Sequence, residues 1–466
     1  MKNRVKTKMD MINGRMMKKL IVLALPLAFS GILQLLFNAA DLIIIGQLSA
    51  TPDESLAAVS SNGALISLII NLAIGLSVGA NVVMAQALGA RNYEKAGRTL
   101  HTSLVIAAIC GVVMGIIGFF GARFFLTLMK VDNQVLDKST LYLRVIFLGM
   151  PANIVYNFGA ALLRAKGDTV RPMLFLAIGG VLNVGMNVVF VLLGMDVLGV
   201  SLATILSQYV SAVLLILALL GESDECKLVW NRLRIHKEEL KDIVRIGLPS
   251  GLLSTCFSLS NVIIQSFINE FGYKLVAGNS ASQNIEGFVY TAMNAVSVAS
   301  LTFAGQNYGA KKYDRIQGVM WRGSLITFGV WVVLGGAIML LGRQISSLYV
   351  SGEELIGYSL DRMFIIVPLY FLCGINEVFI SGLRSTGRTI GPLIISVFCT
   401  CIFRIVWVFT ACEIVHTPQM VYLSYPISWA LNLIITLVYF IVVFKKIINR
   451  AKAEQQPAAL STGESL

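Results

Sequence analysis

Long apolar runs separated by short polar breaks extend along the whole chain. A membrane-spanning α-helix needs about 20 consecutive, mostly apolar residues. The runs that meet this requirement are 20–45, 63–88, 103–126, 141–163, 172–194, 199–220, 246–268, 278–303, 323–342, 363–383, 391–412 and 420–444. The breaks between them hold Gly, Pro, Asn and charged residues, which favour turns. The pattern predicts an all-α polytopic membrane protein with twelve transmembrane helices, six in each half.

This division sets the domain boundaries that we expect. They are a cytoplasmic N-terminal tail at 1–19, an N-terminal six-helix lobe at 20–220, a cytoplasmic linker at 221–245, a C-terminal six-helix lobe at 246–444 and a cytoplasmic C-terminal tail at 445–466. The linker mixes acidic and basic residues, so we expect a solvated segment. The first apolar run is too long for a signal-peptide core and no small-residue cleavage site follows it, so we expect it to be retained.

Composition and charge agree with a membrane protein. Hydrophobic residues make up 56% of the chain and charged residues 13%, with a mean hydropathy of +0.77, whereas a soluble domain has about 25% charged residues. The net charge is +12, and 29 of the 37 Lys and Arg residues lie in the tails and in alternate loops. By the positive-inside rule both termini are cytoplasmic. We therefore expect a multi-pass protein of the plasma membrane, the inner or cell membrane of a bacterium, and no nucleic-acid partner.

The two halves of the chain repeat each other at an offset of about 220 residues. The segment Ser77-Val78…Gln86…Gly89-Ala90…Tyr93 aligns with Ser297-Val298…Gln306…Gly309-Ala310…Tyr313, and Leu163-Arg164…Gly167 aligns with Leu383-Arg384…Gly387. Because six is an even number of spans, both halves start from the same side of the membrane. Parallel repeats of this kind occur in transporters, whose substrate path lies between the repeats and is exposed to each side in turn.

Three carboxylates interrupt the apolar runs, and each is a candidate functional group. Asp41, Glu286 and Glu377 would each cost about 2.5–3.5 kcal/mol at the bilayer centre. Such groups must be protonated, paired or in contact with water. They are candidates for binding a coupling ion or a cationic substrate.

Polar residues accompany Asp41 in the first half. Gln34 and Asn38 lie on the same stripe of the first helix as Asp41, at the spacing i, i+4 and i+7. Asn183, Asn187 and Thr204 fall at the same predicted depth. Carboxylate, amide and hydroxyl oxygens suit a proton or an alkali cation, so a Na⁺ site at Asp41 is one hypothesis. Ordinary hydrogen bonding between helices is the other reading of the amides.

The second half carries a different polar set. Asn261 lies on the predicted seventh helix, Gln283 and Glu286 lie on the eighth, and Glu377 lies on the tenth. Arg404 on the eleventh helix falls about as far from the outer end of its span as Glu286 does. Since each charge would be costly alone, we predict a Glu286–Arg404 pair.

Motifs of soluble enzymes are missing from the sequence. It has no Gly-rich phosphate-binding loop ending in Lys-Ser/Thr and no metalloprotease helix motif. Its seven Cys and three His residues form no ligand-like spacing. We expect no enzyme activity, no nucleotide, no cofactor and no metal other than the coupling Na⁺.

Several patterns in order along nearly the whole chain resemble the multidrug and toxic compound extrusion (MATE) family. These patterns are Pro26…Gln34…Asn38…Asp41…Gly46, the doubled Gln86…Gly89-Ala90 and Gln306-Asn307-Tyr308-Gly309-Ala310, Leu163-Arg164…Gly167-Asp168-Thr169…Pro172, Asn183-x-x-x-Asn187, Gly199…Ala203-Thr204, Asn284-Ile285-Glu286 and Tyr425-Pro426-Ile427-Ser428-Trp429. The resemblance implies a V-shaped pair of six-helix lobes. It also implies ion-coupling roles for Asp41, Asn157, Asn183, Asn187 and Thr204.

The sequence departs from the family pattern in both halves. Some relatives have an aspartate where this chain has Asn187. The sodium-driven branch has a glutamate where this chain has Phe257, and an aspartate near Cys373, one turn from Glu377. Glu286 and Glu377 are candidates for that acidic role, in coupling or in substrate binding.

The resemblance implies a cation-coupled antiporter. Such a protein exports small organic, often cationic, amphipathic compounds in exchange for inward H⁺ or Na⁺, and we expect it to work as a monomer in the lipid bilayer. The alternative is a flippase for a lipid-linked sugar or phospholipid with a related two-lobe architecture. A flippase would favour a cavity lined by Arg and Lys, whereas three carboxylates and one arginine, Arg404, are predicted well inside the spans here.

Overall fold

A computed structural model describes residues 9–49 and 51–460. The helices in this part of the chain are α1 Met16–Leu48, α2 Pro52–Ser60, α3 Gly63–Gly89, α4 Tyr93–Leu128, α5 Asn133–Leu148, α6 Met150–Ala165, α7 Val170–Leu192, α8 Asp196–Leu220, α9 Lys237–Asn269, α10 Tyr273–Gly309, α11 Tyr313–Ser346, α12 Glu353–Ile366, α13 Tyr370–Ser385, α14 Ile390–Ser396, α15 Phe403–Ile414 and α16 Pro418–Leu460. These ranges contain no β-strand, which confirms the all-α prediction for them. Residues 1–8 and 461–466 of the predicted tails lie outside the described residues.

The number of membrane spans agrees with the prediction when one bent pair is counted as a single span. Eleven helical stretches of the described chain are long and apolar enough to cross a membrane, and the pair α5–α6 supplies a twelfth, with a 45° bend. Several helices extend beyond the predicted spans. The helix α4 begins at Tyr93, ten residues before the predicted span, because its first turns carry Glu94, Lys95 and Arg98 and are helical without being apolar.

Prolines break two spans that we predicted to be continuous. Pro151 lies in the first turn of α6, directly after the bend at Gly149. Pro368 lies in a 3₁₀ turn, Val367–Leu369, between α12 and α13. A proline has no N–H to donate to the preceding turn, and its ring clashes with the carbonyl there. The predicted spans 141–163 and 363–383 are therefore each interrupted by a bend or a tighter turn.

The repeat predicted from the sequence is visible in the backbone. The helices α6 and α13 both contain 16 residues, and both their starts and their ends lie 220 positions apart. The turns that follow α3 and α10 place Arg91 and Lys311 at positive φ, 56° and 58°, a further pair with this spacing. The same local conformations thus recur at matching positions in the two halves.

The described chain divides into two compact units by its contacts. Unit 1 contains Val22–Leu259, and unit 2 contains Met11–Ile21 together with the chain from Ser260 onward. The first turns of α1 therefore belong to unit 2, and the first 23 residues of α9 (237–259) belong to unit 1. The boundary between the units falls within these two helices, whereas the sequence places it in a linker. The lobe and tail boundaries expected from the sequence stay a prediction.

Within unit 1, α3 and α9 are in backbone contact. A Cβ atom added to Gly75 would lie 2.1 Å from the Cα of Gly251, and one added to Gly79 would lie 2.3 Å from the carbonyl oxygen of Ile243. No real Cβ tolerates such distances, so only glycine permits this approach. The close packing holds the first half of α9 against the helix that ends in the repeated Gln86…Gly89-Ala90 motif.

Candidate functional site

The carboxylate of Asp41 on α1 is hydrogen-bonded to the amide of Asn187 on α7. The Nδ2 of Asn187 donates to Oδ1 of Asp41 and, at 3.4 Å, to Oδ1 of Asn183. The Nδ2 of Asn183 donates to Oγ1 of Thr204 on α8 at 3.3 Å. Asn183 and Asn187 face the same way because residues four apart share one face of a helix. Four of the five predicted ion-coupling residues of the first half are thus linked, and we call them the Asp41 cluster.

The Asp41 cluster combines burial with an unused oxygen. Asn187 is fully buried and Asn183 nearly so, while Asp41 is half-buried. The Oδ1 of Asn187 is buried and accepts no hydrogen bond from the residues that the structure describes, which costs about 1–3 kcal/mol for a polar atom. Carboxylate, amide and hydroxyl oxygens are the donors that a hard cation prefers. The residues therefore fit a Na⁺ ion, and the carboxylate fits a proton.

Among the described residues, three polar side chains predicted near Asp41 form no hydrogen bond with this cluster. The Nδ2 of Asn157 on α6 donates to the backbone carbonyl of Asn153 and to its Oδ1, at 2.9 and 3.0 Å. Gln34 and Asn38 are exposed on α1, and neither forms a side-chain hydrogen bond within the part of the chain that the structure describes. Asn157, Gln34 and Asn38 thus stay predictions as site residues.

In unit 2, Glu286 on α10 forms a buried ion pair with Arg362 on α12. The Nε and Nη2 atoms of Arg362 donate to the two carboxylate oxygens at 3.1 and 3.0 Å. Ser282 donates to Oε1 of Glu286 at 2.7 Å, and the Nη1 of Arg362 donates to Oδ1 of Asn279 at 3.0 Å. Both charged side chains are 5% exposed. Two parallel hydrogen bonds make this the strong form of such a pair.

The predicted Glu286–Arg404 pair is therefore wrong. Arg404 on α15 instead donates from Nε to Oγ of Ser428 on α16 at 2.8 Å. Its guanidinium lies 4.2 Å from the ring centre of Tyr425 and 5.7 Å from that of Trp429, which are favourable cation–π distances. The prediction failed because it compared depths only and because the predicted span 363–383 begins after Arg362. In the structure α12 begins ten residues before that span and carries Arg362 as a buried residue.

Glu377 on α13 differs from Glu286 in having no ionic partner. Its side chain is half-buried, and no cation of the described chain lies within ion-pair distance. Its backbone carbonyl accepts a hydrogen bond from Ser297 at 2.9 Å. Gln283 donates to Oε1 of Gln265 at 3.4 Å, and Asn261 is exposed. The structure does not bring Asn261, Gln283 and Glu377 into one hydrogen-bonded group.

Sequence analysis missed a charged network at one end of unit 1. The ammonium of Lys166, after α6, donates to Glu222 at 2.5 Å and to Asp224 at 2.9 Å. The guanidinium of Arg171 pairs with Glu222 at 2.5 Å and with Asp168. Glu222 and Asp224 lie in the segment that we predicted to be solvated. Their acidic character was visible in the sequence, but nothing there indicated that Lys166 would be buried beside them.

The ionisation of this network follows from its contacts. Burial disfavours the charge on Lys166, but the hydrogen bonds to Glu222 and Asp224 outweigh it and raise the pKa of Lys166. Burial likewise opposes ionisation of Glu222, yet its bonds from Lys166 and Arg171 hold the pKa of Glu222 below its ordinary value. Burial raises the pKa of the neighbouring Cys226 thiol to about 12. Lys166 and Glu222 are therefore charged at neutral pH, and the Cys226 thiol is protonated.

No set of three or more His, Cys, Asp and Glu side chains in the described residues could hold a metal ion. The seven cysteines are all free thiols. The ionisable side chains buried within apolar helices are thus the main candidates for chemistry. Such groups, in a helical bundle built from two repeats, define a membrane transporter.

Comparison with known proteins identifies the family. The sequence profile of the MatE family matches residues 26–189 and 249–410, one match in each half, and this agrees with the internal repeat. The chain belongs to the MatE family. This is a family of transporters and not of enzymes.

Curated relatives and solved structures agree with this assignment. The chain is 27% identical to the probable multidrug resistance protein YoeA of Bacillus subtilis, over 90% of this chain and 92% of the relative. It is 26% identical to the probable multidrug resistance protein NorM of Thermotoga maritima, over 81% and 82%. Its fold matches a solved multidrug resistance MATE family transporter with a TM-score of 0.88 at 23% identity, over 94% of this chain and 98% of that one.

Proposed function

We propose that this protein is a secondary active multidrug exporter that works by antiport. It exports organic, often cationic and amphipathic compounds in exchange for inward H⁺ or Na⁺. The observation that carries the proposal is the Asp41 cluster, a half-buried carboxylate among buried amide and hydroxyl oxygens inside apolar helices. The names of the curated relatives, multidrug resistance proteins, support the class of substrate.

The coupling follows from the charge on Asp41. When a proton or Na⁺ binds, the carboxylate is neutralised and holds a cationic compound less strongly, so the compound is released. When the ion leaves, the charge returns and a new cation can bind. Such competition gives exchange only if the site is exposed to each side of the membrane in turn. At about 100 mV each net charge moved contributes about 2.3 kcal/mol, so the ion-to-compound ratio sets the gradient that export can reach.

In unit 2 the two carboxylates divide their roles. Glu286 has both oxygens hydrogen-bonded to Arg362, which stabilises its charged form and favours a structural role. Glu377 has no such partner and is free to bind a proton or a cation. We therefore assign a share in ion coupling or substrate binding to Glu377 rather than to Glu286.

The proposal includes a location and an assembly state. The protein acts in the plasma membrane of a bacterial cell, with both termini in the cytoplasm, because basic residues concentrate in the tails and in alternate loops. It acts as a monomer, since each chain carries its own pair of repeats.

Export of ethidium from liposomes tests the proposal. The purified full chain is reconstituted, and ethidium movement is followed under an imposed pH gradient and then under an imposed Na⁺ gradient. Export should depend on one gradient in the wild type and be lost in Asp41→Asn. The matched control is Asp137→Asn, since the Asp137 side chain is 82% exposed on α5. Full export by Asp41→Asn with unchanged ion dependence would contradict the coupling role of Asp41.

A further inference from the structure

The segment between α8 and α9 is docked on unit 1. We call residues 221–236 the strap. The N–H of Leu228 donates to the carbonyl of Leu219 at 3.0 Å, and both Cys226 and Leu228 are buried. A Cβ added to Gly97 of α4 would lie 2.9 Å from the carbonyl oxygen of Glu225, so the strap lies directly on this helix. Most residues of the strap are exposed, as expected for a solvated linker, and the buried ones are Asp224, Cys226 and Leu228.

His101 on α4 can make its observed hydrogen bonds, one of them to the strap, in one protonation state only. The N–H of Val229 donates to Nε2 of His101 at 3.1 Å, so Nε2 carries no proton. The Nδ1 of His101 lies 2.7 Å from the carbonyl oxygen of Gly97. A carbonyl oxygen can only accept, so Nδ1 carries the proton. The observed contacts therefore require a neutral His101 ring.

A second histidine, at the end of the strap, is held in the same way. The Nε of Arg234 donates to Nε2 of His236 at 2.9 Å, so this nitrogen also carries no proton. The Nδ1 of His236 is then the donor to Oγ1 of Thr102, at 3.1 Å, and the N–H of His236 donates to the same oxygen at 3.1 Å. Thr102 follows His101 on α4, so the strap is fastened at Val229 and at His236 to adjacent residues of this helix.

We propose that His101 is a pH-sensitive latch that releases the strap from α4 in acid. Protonation of this ring places an N–H on Nε2, which now accepts from Val229, so two donors face each other and the hydrogen bond is lost. The bond from Arg234 to His236 lies within the strap and does not hold it to α4. Histidine is the side chain whose charge ordinarily changes between about pH 5 and 8. The strap is docked at neutral pH and undocks at Val229 when the His101 ring is charged.

The charged groups around the latch set the direction of its response. Arg232 of the strap acts on His101 through its charge, and Arg234 donates to Nε2 of His236. On α4, Lys95 and Arg98 are already paired with carboxylates of α9, Asp242 at 2.8 Å and Glu239 at 3.1 Å. Burial of the His101 ring and the charge of Arg232 oppose protonation of this ring, and these two carboxylates are engaged. The latch therefore stays closed at neutral pH and opens only on acidification.

Release of the strap at Val229 would free part of the segment that leads into α9. The strap ends at His236 and α9 begins at Lys237, so the latch lies on the connection between α8 and this helix. The inference concerns a device that the proposed antiport does not use, and its test needs no transport. Even a protein that failed to exchange ethidium for ions would be expected to keep its strap docked at neutral pH and to release it in acid.

Hydrogen–deuterium exchange of the purified full chain tests the latch. Exchange of peptides covering 225–236 is compared at about pH 7.5 and about pH 5.5, after correction for the intrinsic effect of pH, with the α10–α11 turn as internal reference. The strap should exchange on the order of ten times faster, relative to that reference, at the lower pH, as expected for local opening. Equal protection of the strap at both values would overturn the proposal.

Two of the three histidines of the chain supply matched variants. Glutamine cannot titrate but keeps an oxygen that can accept, so His101→Gln should remove the pH response of the strap. His416→Gln is the control, because His416 is exposed and stacks on Phe271 in unit 2, and it should leave the response intact. A response that persists in His101→Gln would refute the latch. If that variant is undocked at both pH values, the ring signals of wild-type His101 in NMR decide, since ionisation of this ring must coincide with strap opening.

Discussion

Charged side chains inside this protein are stabilised in two different ways. Glu286 and Arg362 satisfy each other through two parallel hydrogen bonds. Arg404 lies against Tyr425 and Trp429, and its Nη2 has no hydrogen-bond partner. The sequence identified Glu286 and Arg404 as buried charges because they interrupt apolar runs. It did not give the partner of Glu286, because that depends on which helices pack together, and the contact between α10 and α12 has no signal along the chain.

We predict that replacing one residue of the Glu286–Arg362 pair destabilises the protein more than replacing both residues. Glu286→Gln leaves the Arg362 charge buried and should lower the free energy of unfolding by about 3 kcal/mol. The double variant Glu286→Gln with Arg362→Met should recover most of that loss, since no charge is left unpaired. Thermal unfolding in detergent measures both, with Glu413→Gln, an exposed carboxylate, as control. A double variant as unstable as the single one would show that the pair itself stabilises the fold.

The Lys166 network gives a second prediction. Lys166→Met should destabilise the protein by about 3 kcal/mol, because it leaves Glu222 and Asp224 without their ammonium partner. Lys227→Met, at an exposed position of the strap, should change stability little. Equal unfolding temperatures for the two variants would contradict a stabilising network.

The pH dependence of this network follows from the signs of its pKa shifts. The pKa of Glu222 is lowered on folding. Its charge therefore contributes to the stability of the fold above its ordinary pKa of about 4.3, and this contribution is lost as the pH falls further. The pKa of Lys166 is raised, so its contribution is present below about 10.4 and is lost above the raised value. We therefore expect the stability difference between wild type and Lys166→Met to be constant from about pH 6 to 9 and to shrink in stronger acid. The difference is measured from the unfolding temperatures of both proteins at these pH values and in stronger acid.

At the scale of helices, the sequence predicted the positions of the membrane spans well and the interruptions within them poorly. Hydropathy located all twelve spans, because burial in a bilayer demands long apolar stretches. It missed the bend at Gly149 and the 3₁₀ turn at Val367–Leu369, although Pro151 and Pro368 were visible, because a proline disturbs the backbone without changing hydropathy. It also shortened α4, since charged residues continue that helix beyond the apolar part.

The contact between α3 and α9 gives a prediction at this scale. Gly75→Ala places a methyl group where Gly251 now lies, so the helices must separate, and we expect a loss of about 1–3 kcal/mol. Gly329→Ala on α11 has open space around its Cβ position and should be neutral or slightly stabilising, because alanine favours helices. The comparison is made by thermal unfolding. Equal stability of the two variants would mean that the close approach of α3 and α9 does not matter to the fold.

For the whole molecule, the sequence predicted two repeats, and the two family matches, one in each half, agree with them. It did not predict how the contacts divide the chain, because the start of α1 belongs to unit 2 and the start of α9 belongs to unit 1. An alignment of repeats detects similar segments, but it contains no information on which segment packs against which.

The orientation of the whole molecule gives a further prediction. A fluorescent protein fused after the last residue should fluoresce in living cells, because fluorescent proteins of that kind mature in the cytoplasm. Alkaline phosphatase inserted after Gly272, between α9 and α10, should be active, because it requires the oxidising outer side. The reverse result would show that the basic loops face outward.

The division of α1 and α9 between the units also constrains the order in which the protein can be made. Translation delivers residues 11–21 first, yet they belong to unit 2, whose other residues follow only from Ser260 onward. Unit 1 is complete only after Leu259 has left the ribosome, well beyond the last helix of the first repeat. Neither half-length chain would therefore contain everything that its own unit needs. During synthesis the first turns of α1 are therefore inserted without their final neighbours until the second half of the chain has been made.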